Sequence, residues 1–145
     1  MYPNDRVAAF IGENFIPVKI HIKDQPETFK RFRAQWTPTL VILDRDGVER
    51  HRFEGFLPVT DFLSQLALGL AHAAFGREQW REAEERYRAV VRDFPTTDAA
   101  PEALYWAGVS RYKGGDQTAL ADTAKRFQAA YPATTWAKKA SVWAH

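Results

Sequence analysis

Phe94-Pro95 returns as Tyr131-Pro132, and Trp106-Ala107 returns as Trp143-Ala144, each 37 residues further along the chain. Ala100 and Ala137, Ala103 and Ala140, and Arg88 and Lys125 obey the same shift. Self-similarity at a period of roughly 20–50 residues marks stacked helix–turn–helix units, because one such unit cannot bury its apolar face alone. Residues 76–145 are therefore read as helices only. Small residues let paired helices approach, and large ones such as Tyr87 and Phe127 fill the space between them. A Pro stops the second helix of each pair, since it cannot donate to the preceding turn.

The first 75 residues follow a different rhythm. Pro3, Asn4 and Asp5 offer cap chemistry, and Val7, Phe10 and Ile11 recur at helical spacing, which predicts a helix over 5–13. Phe15 to Ile22 alternates with β-branched residues and predicts a strand, with Pro17 placing it at an edge or at a strand start. A short helix is expected over 26–34, with Phe29 and Phe32 on one face, and an apolar strand over Thr39–Leu43. Asp44-Arg45-Asp46-Gly47 is a hairpin turn, because Asp-Gly supplies the positive φ a tight connection needs. Val48–Phe53 is the returning strand, and a longer helix runs from about Val59 to Phe75.

Two resemblances follow from these residues. Thr37-Pro38-Thr39 opening an apolar strand, then the Asp/Gly hairpin and the pair Phe53 and Gly55, resemble a thioredoxin domain after its active-site turn. Leu104, Gly108, Gly115-Asp116, Phe127 and Pro132 resemble a tetratricopeptide repeat, as do Trp80, Ala83, Tyr87, Val90 and Pro95 in the preceding unit. Leu120, where that family prefers Ala, and Arg111, where an aromatic is common, depart from it. Counting back from Pro95 puts Ala67, Leu70 and Ala71 in the first repeat helix, which is also the last thioredoxin-like helix. The expected fold is α/β plus all-α. A truncated thioredoxin-like αβαββα unit over 1–75 continues into tetratricopeptide-like repeats over 76–145, with helix 59–75 shared by both.

The thioredoxin resemblance implies a cis Thr37-Pro38 bond and a groove for an extended peptide, of which Trp36, Thr37 and Pro38 would be the remnant. Trp36 stands at its edge, where exposure and burial are both open. The chain has no Cys, and a dithiol–disulfide enzyme acts through a thiolate. As written it is expected to catalyse no redox reaction and to need no cofactor. In relatives of this design the Cys-x-x-Cys lies a few residues before a Tyr-Pro such as Tyr2-Pro3, so the alternative is a fragment of a thiol–disulfide oxidoreductase whose cysteines lie upstream of Met1.

The resemblance also removes the central strand between 15–22 and 39–43. Direct closure, a strand from a second chain or loose order could each answer that loss, and a homodimer covering the gap is favoured.

Other chemistries find little support. His21, His51, His72 and His145 share no ligand spacing, so no metal site is expected. His72 is read as a partly buried packing residue, and Asp44 and Asp46 as turn residues rather than an acid–base pair. Trp80, Tyr87, Trp106 and Trp143 are read as core, with Trp106 more buried than Trp143. The formal charge of +2 is too small for a nucleic-acid footprint, and the uncharged run Phe62–Phe75 is too short to span a bilayer, which needs ~20 apolar residues. The expected partner is a protein or an extended peptide. With a polar start the default compartment is the cytoplasm, and a signal upstream of Met1 would make it the periplasm.

Overall fold

The computed structural model describes residues 4–144. The expectations resting on Met1, Tyr2, Pro3 and His145 lie outside that range. Helix α1 (Asp5–Asn14) begins where Asn4 Oδ1 accepts the backbone N–H groups of Arg6 and Val7, at 2.9 and 3.3 Å. Such a cap satisfies donors that the first helical turn leaves unbonded. Helix α2 (Pro26–Arg31) starts on a Pro, whose missing N–H is no loss there. It ends earlier than the expected 26–34, because Arg33 adopts a left-handed φ of 54°.

Strands β1 (Thr39–Leu43) and β2 (Glu49–Glu54) form an antiparallel hairpin, with Leu40 opposite Phe53 and Ile42 opposite His51. The turn between them forms as its residues require: Gly47 has φ 79°, and Asp44 Oδ1 accepts the N–H groups of Asp46 and Val48.

Residues 15–22 do not form the expected strand. They run on without a ladder, leaving Ile16 94% and Val18 77% exposed. An alternating pattern favours an extended backbone, but a strand also needs a neighbour for its N–H and C=O groups. Among the described residues β1 pairs with β2 alone, and this segment joins neither strand. The thioredoxin-like unit is thus α–α–β–β–α over the described residues rather than the αβαββα order.

Helix α3 (Val59–Gly76) joins two cores. Phe62, Leu63 and Leu66 pack with Val7 and Ile42 beneath the hairpin. Further along, Leu68, Ala71 and Ala74 pack with Tyr87, Val90 and Ala103 of the next helices. Its Gly69 lies against Ile42 and His51 so closely that an added Cβ would overlap the Ile42 side chain. Helices α4 (Trp80–Asp93), α5 (Ala99–Lys113), α6 (Ala119–Ala130) and α7 (Thr135–Ala140) follow, with a short 3₁₀ turn over Ser141–Trp143. Leu104, Phe127, Ala137 and Ala140 build a third core among them.

The repeat extends to hydrogen bonds. Phe94 and Tyr131 cap α4 and α6 with backbone N–H groups bonded to Val90 and Phe127 carbonyls. Thr97 and Thr134 then donate their hydroxyls to the Phe94 and Tyr131 carbonyls at 2.8 and 2.9 Å. Tyr131 Oη also donates to the Pro95 carbonyl at 2.7 Å, tying one unit to the preceding one.

Candidate functional site

Three constellations stand out, each positioned by a different part of the fold. The first is the turn into β1. The Thr37–Pro38 bond is cis. The Pro38 carbonyl accepts the Gly55 N–H at 2.8 Å, and Thr39 Oγ1 donates to the Trp36 carbonyl at 2.5 Å. These bonds fasten the turn to the far end of β2 and leave the Trp36 side chain outward, with the residue 66% exposed. Thr37 is exposed and Pro38 half-buried. The three residues expected at a groove remnant therefore form one short surface feature.

The second is a polar seam between the hairpin and the helices. His51 on β2 donates from Nε2 to Gln65 Oε1 at 2.7 Å, with the tautomer assigned from this bond. Its ring lies 5.3 Å from that of His72 on α3. The two His72 nitrogens meet Tyr87 Oη at 2.6 Å and Glu102 Oε2 at 2.9 Å, which joins α3 to α4 and α5. Burial pushes the His51 imidazole below the usual histidine range, partly offset by the Gln65 bond. Burial, then the Glu102 charge, drives the Tyr87 hydroxyl well above the usual tyrosine range. A phenol held neutral and fully buried is no nucleophile, so the His72–Tyr87–Glu102 set ties helices together. His72 is the partly buried packing residue expected of it, with polar partners that its local sequence does not reveal.

At the opposite end of the hairpin, Asp44 is held below the usual carboxylate range, first by the Val48 N–H and then by Arg50, whose Nε lies 2.8 Å away. Its bonds belong to the turn. Among the described residues no cluster of three or more His, Asp or Glu side chains is placed to hold a metal, and no helix is long and apolar enough to cross a membrane.

The third constellation is a row of rings. Trp80 meets Phe75 at 5.1 Å, Phe75 meets Trp106 at 5.1 Å, and Trp106 meets Tyr105 at 5.3 Å. Tyr105 continues to Trp136 at 5.2 Å and stacks on Trp143 at 4.5 Å. All six rings are only half-buried; Trp106 and Trp143 pack against the cores as expected, but from their edge, with part of each residue accessible. Of the four residues read as core, Tyr87 alone is fully buried. The rings sit at the end of α3, the start of α4, on α5 and α7, and on the 3₁₀ turn. Trp106 has more ring neighbours than Trp143, but both stay in the half-buried range. The 37-residue offset reveals Trp106 and Trp143. Tyr105 and Trp136 have no aromatic counterpart at that offset, and only the fold brings them into the row.

With this geometry in view, residues 2–69 match the family model for a thioredoxin-like domain, and residues 102–134 match that for a tetratricopeptide repeat. Comparisons with curated proteins and with solved structures gave no match. The chain joins a thioredoxin-like domain to a tetratricopeptide repeat, a motif that typically mediates protein–protein interaction.

Proposed function

We propose that the chain is a non-catalytic module that binds protein segments in extended form. The observation that carries this reading is the turn at Trp36, Thr37 and Pro38. It is fastened by one backbone hydrogen bond and one from the Thr39 hydroxyl, yet Trp36 is 66% exposed. A large ring held outward on a rigid support is a low-entropy anchor for a partner. The lack of Cys in the sequence supports binding without thiol chemistry, and the helical pairs add a second surface of the kind that takes extended chains.

An array of immobilised, proline-free extended peptides tests the reading. The purified chain should be retained by a sequence-related subset, and Trp36→Ala should weaken that retention about tenfold, the scale of a central anchor residue. Retention by no peptide, or retention indifferent to Trp36→Ala, would overturn it.

The second reading, a thiol–disulfide oxidoreductase of which this is a portion, is favoured by one observation. The extended, unpaired segment 15–22 carries the apolar alternation of a strand without a neighbour. An in-frame Cys-x-x-Cys upstream of Met1 in the DNA would turn the account toward it.

A further inference from the structure

The half-buried ring row carries an inference that rests on the peptide-binding reading and names the peptide. We propose that the row from Trp80 to Trp143 receives a proline-rich segment in the polyproline II conformation, flanked by acidic residues.

Hydrogen-bonding capacity is the first ground. Trp80, Trp106, Trp136 and Trp143 each have an indole N–H with no acceptor among the described residues. Among the described residues no buried side-chain nitrogen or oxygen lacks a partner, so these unpaired donors reach the surface. The Tyr105 hydroxyl is likewise unbonded and accessible. A polyproline II chain has no internal hydrogen bonds, and its carbonyls project outward as acceptors. Indole donors beside apolar ring surface match that chemistry, because the rings take the pyrrolidines while the N–H groups take the carbonyls.

Spacing agrees. Polyproline II repeats every three residues, about 9 Å along its axis, and packed helices stand about 8–10 Å apart. Helices α3, α5 and α7 touch in succession and each contributes to the row, so one turn of ligand spans one helix step.

Charge selects the flanks. Lys113 Nζ lies 5.1 Å over the Trp80 ring and Lys139 Nζ 4.1 Å over Trp136. Neither lysine has a carboxylate partner among the described residues. Both are free to meet an acidic side chain at either end of the segment. A single-stranded nucleic acid fits less well, because it tracks a strongly cationic groove and the formal charge of the chain is only +2.

The test is a titration of the full chain with three fluorescein-labelled probes: oligoproline flanked by aspartates, the same core flanked by lysines, and oligo-deoxythymidine. The aspartate-flanked probe should bind saturably with quenching of tryptophan fluorescence, and several-fold more tightly than the lysine-flanked one. Trp136→Phe keeps a ring and removes a donor, and should weaken binding about 3- to 10-fold, the scale of one hydrogen bond. Lys139→Glu, an exposed change that leaves the rings in place, should reverse the preference between the two peptides. Equal binding of both peptides, tighter binding of the oligonucleotide, or indifference to both substitutions would overturn the proposal. If oligoproline fails while the proline-free peptides of the array bind and are lost in Trp36→Ala, only this inference falls. If no peptide of either kind binds, both readings fall.

Discussion

Protonating His51 is harder in the folded chain than in the unfolded one, because the ring lies between β2 and α3 with little water to stabilise its charge. His72 faces it across 5.3 Å, and a second imidazolium there would add repulsion. Glu102, beyond His72, pulls the other way more weakly. The unfolded state therefore binds the proton more readily near pH 6, and the stability tied to neutral His51 is present above its unfolded pKa of about 6.5. It is lost as pH falls from there through the lower folded value. Urea midpoints at about pH 7.5 and about pH 5.5 should show the wild-type chain weakening. The His51→Gln variant should weaken less over the same interval, and equal slopes would remove His51 as the source. No local pattern could have disclosed this residue's setting. Its partner Gln65 is on another element, and His72 reaches Tyr87 and Glu102 through helix packing alone. The Asp44 turn was legible because all its bonds lie within a few residues.

Among the elements, the helical array was the most legible. Its period fixes caps and threonine bonds that repeat to within a tenth of an ångström, since each depends on residues close in sequence. The strand over 15–22 was not legible in the same way, because alternation is local whereas a ladder requires a neighbour. Ile16, Val18, Ile20 and Ile22 stay exposed for that reason. Within the described residues β1 also pairs on one side only. An open edge and an exposed apolar segment each promote association, and a two-fold dimer could satisfy the segment of one copy on the β1 edge of the other. Light scattering at micromolar concentration should then report a dimer. A clean monomer in which residues 15–22 resist hydrogen exchange would favour closure within one chain instead.

At the scale of the molecule, α3 makes the two parts inseparable. Its first half covers the hairpin and its second half starts the helical stack, so the two cores share one element. The resemblance foresaw the cis Thr37–Pro38 bond. The ring row escaped it, because core and surface aromatics look alike until the number of helix layers is known. The central claim is that this molecule holds an extended polypeptide and does not alter it. The most direct measurement follows both events in one sample, with labelled insulin, excess dithiol and the purified chain. Anisotropy should report a saturable complex, while thiol release runs no faster than with the boiled chain, because no residue can form a mixed disulfide. Thiol release above that control, or no complex at any concentration, would contradict the account.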